Sequence, residues 1–163
     1  MNLDGVVDTI VLDKEYHLRV YSGSGRLLVK SNDYYGHDPR LIDVGVKEDI
    51  EGIVQQGEPV PFKGRLLFVT KGEDRFLFLP KNHRIGGSLL ARMVLVEDSS
   101  LVILGISREG FEKLFETKKQ RGYLAAYQVM DLPENQKKRV HMATVEEGGL
   151  TGRTISTVYT YEW

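Results

Sequence analysis

Apolar residues recur along this chain in short runs, broken by glycines and small polar clusters. Valine, isoleucine, leucine, tyrosine and threonine dominate the runs, a composition that favours strands. "GVVDTIVL" (5–12) predicts a strand. "EYHLRVYS" (15–22) alternates, with Tyr16, Leu18 and Val20 on one face. "GSG" (23–25) predicts a turn and "RLLVKS" (26–31) the returning strand of a hairpin. Further along, "RLLFVT" (65–70) and "RFLFLP" (75–80) flank a "KGED" turn, and "LLARMVLVE" (89–97) and "LVILGI" (101–106) flank "DSS". Most of these runs are almost continuously apolar, which predicts strands covered on both faces. "YLAAYQVM" (123–130) predicts another strand. The tail pairs "KRVHMATVEE" (138–147) with "RTISTVYTYEW" (153–163) across "GGLTG". In its last strand Ile155, Thr157, Tyr159, Tyr161 and Trp163 share one face, and Thr154, Ser156, Val158 and Thr160 the other. That period of two sets one face against apolar matter and the other toward water.

Two stretches carry helical spacing instead. In "VKEDIEGIVQQG" (46–57), Val46, Ile50, Ile53 and Val54 fall on one helical face. Glu48 and Asp49 suit its first turn and Gly57 its stop. In "REGFEKLFETKKQ" (108–120), Phe111, Leu114 and Phe115 form the stripe, with Ser107 as the cap. The resulting expectation is one β-rich α+β domain over residues 1–163. It would hold about nine or ten mostly antiparallel strands in a barrel or sandwich, with two short helices. A weak internal duplication, 25–45 against 64–87, is suggested by "GRLLVKSND" and "GRLLFVTKGED".

Composition narrows the chemistry. The chain has 163 residues, 41% hydrophobic and 28% charged, with a formal net charge of -1. No global field points to nucleic acid or an acidic membrane surface. There is no cysteine, which removes disulfides, thiolate metal sites and cysteine nucleophiles. Asp4 and Asp8 stand where a secretory signal would be basic, and no apolar run is long enough to span a bilayer. A soluble, cytoplasmic protein without membrane partners is the expectation.

Two polar islands are the candidate catalytic site. "SNDYYGHDPR" (31–40) supplies His37 and Asp38, and "LPKNHRIGGS" (79–88) supplies His83 and Arg84. Imidazole beside carboxylate suits acid–base work, and cations beside glycine amides suit an anion. Turn chemistry explains much of the first island, because adjacent His37 and Asp38 would diverge on a strand. The islands matter only if they meet. Tyr34, Tyr35, Arg40, Lys81 and Asn82 would then line a ligand site. Lys118, Lys119, Arg121, Lys137, Lys138 and Arg139, with tyrosines between them, are the candidate nucleic-acid surface. No spacing for a metal site, a phosphate loop or a serine nucleophile occurs, and no cofactor is indicated.

The alternating aromatic strand points to assembly. Tyr159, Tyr161 and Trp163 are the candidate interface, since aromatics concentrate at interface cores and strand edges accept partner strands. The leading functional expectation is therefore a non-catalytic binding or assembly module. It would join its own kind, as a homo-oligomer, or another protein through the C-terminal hairpin. A phosphate- or nucleotide-acting enzyme and a nucleic-acid-binding protein are the alternatives.

Overall fold

A computed structural model of the chain describes residues 7–36, 41–44, 49–50, 53–54, 58–61, 65–71, 74–85, 95–107, 109–132, 137–148 and 153–162. The first sheet is a meander of β1 (Thr9–Leu12), β2 (His17–Tyr21) and β3 (Leu27–Tyr34). Two small ribbons follow: β4 (Leu41–Val44) pairs with β7 (Glu58–Pro61), and β5 (Asp49–Ile50) with β6 (Ile53–Val54). The central sheet has the order β11 (Phe111–Glu116), β10 (Leu95–Ile106), β9 (Asp74–Ile85), β8 (Leu67–Lys71), with β12 (Gln120–Arg121) also on β10. The third sheet is β13 (Tyr123–Leu132), β14 (Lys137–Gly148), β15 (Arg153–Glu162). Every pairing is antiparallel.

Strand alternation makes the central sheet the middle of three layers. Phe76 and Phe78 of β9, with Leu101 and Ile103 of β10, pack on Leu124, Tyr127, Val140 and Met142 of the third sheet. Leu77 and Leu79, with Val102 and Leu104, pack in the opposite direction on Leu12, Leu18 and Tyr35. Each of these large side chains contributes roughly 1.5–3 kcal/mol by leaving water. Tyr127 couples layers by polar contact as well, its Oη lying 2.8 Å from Phe78 O and 2.6 Å from Arg65 O.

The expected α+β class is wrong: no described residue is helical, and none of the three main sheets closes into a barrel. Within 46–57, Asp49 pairs with Val54 and Ile50 with Ile53 as extended backbone. β-branched residues prefer that state, and Gly52 costs a helix about 1 kcal/mol against alanine. Within 108–120, Phe111–Glu116 is a strand on β10. A bulge opposite Ile103 and Leu104 sets Phe115 across from Ile103 and Phe111 across from Ile106, so the two rings that would share a helical face lie on opposite faces of the strand. Ser107, expected as a helix cap, holds a turn: its N–H donates to Gly110 O at 3.0 Å, and its Oγ accepts from Glu109 N–H at 3.1 Å. A thirteen-residue helix is marginal alone, whereas β11 gains an antiparallel ladder on β10 with one bulge. The expected "DSS" turn also fails. Asp98, Ser99 and Ser100 lie inside β10, which runs from Leu95 to Ile106 with a bulge between Val96 and Asp98.

Among the described residues, no helix is long and apolar enough to cross a membrane.

Candidate functional site

The polar end of the central sheet is built by register. Asp98 lies opposite His83, Ser99 opposite Asn82 and Ser100 opposite Lys81. The polar run of β10 thus meets the polar run of β9, which is why "DSS" continues a strand. Alternation sends Lys81, His83, Asp98 and Ser100 to the face that carries Leu77 and Leu79. On that face the ends of the two sequence islands meet. Gly36 N–H donates to Pro80 O at 2.7 Å, Lys81 Nζ lies 3.7 Å from Asp33 Oδ2, and it sits 5.9 Å from the centre of the Tyr35 ring. Burial and the Asp33 charge push the Tyr35 hydroxyl well above its ordinary pKa.

The charges on this shelf balance one another. Lys113 Nζ donates to Glu116 Oε2 at 3.0 Å, Ser100 Oγ to Glu116 Oε1 at 2.8 Å and Lys119 Nζ to Asp98 Oδ2 at 3.3 Å. Burial raises the Glu116 pKa, but the bonds from Lys113 and Ser100 outweigh it and leave the carboxyl below its usual range. His83 Nε2 lies 3.7 Å from Asp98 Oδ1, too far for a hydrogen bond, and has no hydrogen-bond partner among the described residues. Burial first, and the Lys119 charge second, hold its pKa below the ordinary value. Among the described residues Lys81, Lys113 and Lys119 each face a carboxylate, so these three offer little net field for a phosphate.

The depressed His83 pKa has a definite sign. The unfolded chain takes up the His83 proton at higher pH than the folded chain, so His83 favours unfolding as pH falls through about 6.5. We expect His83→Gln to flatten the loss of stability between about pH 7 and pH 5.5, measured by urea unfolding at each pH. Glu116 acts in a lower window, below its ordinary carboxyl pKa, and will not mask the effect. An unchanged slope would show that His83 titrates as it does in water.

Of the expected catalytic set, only the His83 side chain is placed. His37, Asp38 and Arg40 lie outside the described residues, as does the Arg84 side chain, whose backbone pairs with Val96. Among the expected ligand residues, Lys81 and Tyr35 come together as described. Tyr34 turns instead to His17, ring centres 4.4 Å apart. Asn82 is buried facing the other layer, where its Oδ1 accepts from Leu124 N–H at 2.8 Å. That bond ties two sheets together and leaves Asn82 off the shelf. No group of three or more histidine or acidic side chains suited to a metal occurs among the described residues.

The expected nucleic-acid surface splits in two. Lys118, Lys119 and Arg121 adjoin the Tyr123 end of β13, while Lys137, Lys138 and Arg139 pair with its Leu132 end. At about 3.3 Å per residue the two groups are on the order of 30 Å apart. Most of these cations are also engaged. Lys119 holds Asp98, buried Lys138 holds Asp131 at 2.5 Å, and Arg139 and Lys137 share Glu162 at 3.2 and 3.9 Å.

The expected aromatic interface faces inward. Tyr159 and Tyr161 are half-buried against the chain's own core, and Tyr161 Oη accepts from Gln120 Nε2 at 3.2 Å. Trp163 lies outside the described residues. What remains available is the strand's edge, which the sequence reading did not separate from its face. Among the described residues β15 has no strand neighbour but β14. It pairs over ten residues without a bulge, and Thr154–Tyr161 contains no charge and no proline. The other edges differ. β11, β13 and β3 carry register breaks, and β8 and β1 are only five and four residues long. Ile155 and Val158 on β15 are 57% and 67% exposed.

No family model, curated protein or solved structure matches this chain.

Proposed function

We propose that the protein is an assembly module that pairs with a second copy of itself along β15. The carrying observation is the long, unguarded edge of that strand. Folded proteins blunt such edges with lysine, proline, bulges or short length, because unpaired N–H and C=O groups recruit another strand. The described lysines of the polar shelf, Lys81, Lys113 and Lys119, are each matched by a carboxylate and carry no comparable argument.

The sequence favours one geometry. In an antiparallel pair related by a two-fold near Val158, Val158 meets its own copy on the outer face. On the inner face Ile155 meets Tyr161 of the second copy, and Thr157 meets Tyr159. Exposed Ile155 is thereby covered by an aromatic ring, a favourable cross-strand pair. The third sheet becomes continuous across two copies.

Deleting β15 would also strip Tyr159 and Tyr161 from the core, so point substitutions test the proposal better. Sedimentation should show a dimer for the natural chain and a monomer for Val158→Lys, which sets like charges opposite one another. The unfolding midpoint of that exposed position should change little. Because the chain has no cysteine, Val158→Cys should cross-link to itself on mild oxidation, and Phe115→Cys on the β11 edge should not. A natural chain that stays monomeric at high concentration, or a dimer unaffected by Val158→Lys, would overturn the proposal.

A further inference from the structure

The outer face of the third sheet carries a depression that the packing of the core does not require. Its cause lies in two adjacent cross-strand rows. Ala126, Ala143 and Val158 are register partners, as are Gln128, His141 and Thr160. The first row is small and apolar, so the surface sinks there. The second is polar and stands above it. These rows apart from Thr160, with Tyr127 and Val129 of β13 and Arg65 and Leu67 beside its edge, bound an open groove of about 550 Å³. That volume suits a small molecule.

The polar groups of the groove share one sign of preference. No acidic residue lines it among the described residues. Arg65 is exposed and makes no ion pair with a described carboxylate. His141 Nδ1 and Thr160 Oγ1 are 3.0 Å apart, which engages one ring nitrogen and leaves Nε2 for a ligand. Gln128 adds an amide. A guanidinium fork matches a carboxylate in two parallel hydrogen bonds, and a single fork suits a single anionic group. The alanine and valine row offers an apolar body its contact surface.

We propose that this groove binds a small amphipathic monocarboxylate, its acid group on Arg65 and its apolar body along Ala126, Ala143 and Val158. The site lies within one chain and uses no catalytic group. Val158 borders both this groove and the proposed β15 pairing, whereas Arg65, Ala126 and Ala143 lie off β15, so variants at Arg65 and Ala143 test the groove without altering that strand.

Decanoate, kept below its aggregation threshold, is the probe, with acetate and decanol as the two halves of its chemistry. Calorimetry should give saturable decanoate binding, at least tenfold tighter than either half. Arg65→Gln keeps the backbone carbonyl that Tyr127 uses, and it should weaken decanoate at least tenfold while leaving decanol unchanged. Ala143→Phe fills the depression on an exposed face and should block both. Unchanged thermal midpoints establish that each variant folds. Decanoate that does not bind, binds Arg65→Gln equally, or binds Ala143→Phe equally overturns the assignment. Decanol binding as tightly as decanoate overturns the carboxylate preference on which the proposal rests.

Discussion

Phe78→Ala should lower the stability of the fold by about 3–5 kcal/mol, read as a fall in the urea midpoint at unchanged slope. Phe78 is fully buried in the middle of β9, opposite Ile103 on one side and Leu67 on the other. It lies in the cluster that joins the central sheet to the third sheet. Truncation removes a ring from between two layers held by backbone ladders, so the walls can close only partly and a cavity remains. The reference is Leu79→Ala, also fully buried on the same strand but facing the first sheet. Its loss should be about 2–5 kcal/mol. The two side chains point into different clusters, so the double variant should lose nearly the sum of the two. A loss for Phe78→Ala below about 1 kcal/mol would mean that the third sheet does not cover this face.

The same two strands show what the sequence made legible. "RFLFLP" and "LVILGI" are apolar at consecutive positions, and consecutive positions on a strand face opposite sides. Coverage on both faces therefore followed from the residues alone. The partners of polar residues did not follow. "DSS" has turn composition, and it continues a strand only because Lys81, Asn82 and His83 stand opposite it. Register is a long-range property, invisible in either segment read by itself. The helix expectation at 108–120 failed for a related reason. Phe111, Leu114 and Phe115 fit a helical stripe, and only the ladder offered by β10, with a bulge that turns Phe111 and Phe115 to opposite faces, decides for a strand.

The candidate sites divide in the same way. The sequence posed a meeting of the two islands as a condition on His37, Asp38, His83 and Arg84. The structure brings Tyr35 and Lys81 together beside the Gly36–Pro80 bond, while His37, Asp38 and the Arg84 side chain lie outside the described residues. The basic clusters at 118–121 and 137–139 are close in sequence, yet β13 holds them at its opposite ends. On β15, alternation separated the two faces correctly, and Tyr159 and Tyr161 turned out to serve the core. Whether a strand has a neighbour is set by topology. The absence of any guarding charge or proline over Thr154–Tyr161 was nonetheless written in the chain and is the signal that could have marked the edge.

Gly122→Ala should be as damaging as a large core truncation, on the order of 4 kcal/mol or loss of folding, although it adds a single methyl group. Gly122 lies between β12 on the central sheet and β13 on the third, and its N–H donates to Glu97 O at 3.1 Å. Its φ is +80°, and an added Cβ would stand 2.2 Å from Val145 O. The left-handed backbone alone costs an alanine about 1–2 kcal/mol. The clash adds more because the obstacle is the backbone of β14, which no side-chain rotation can move. Relief requires parting β13 from β14 where Tyr123 pairs with Val145, or breaking the link to Glu97. Gly25 separates the two contributions. Its φ is +82°, and a Cβ there meets nothing within 4 Å. Gly25→Ala should therefore lose only the backbone cost, about 1–2 kcal/mol. Urea unfolding of both variants gives the difference directly, and that difference measures how closely the crossover between layers approaches β14. Equal losses would show that the crossover has room to shift, and that its conformation rather than its close approach selects glycine.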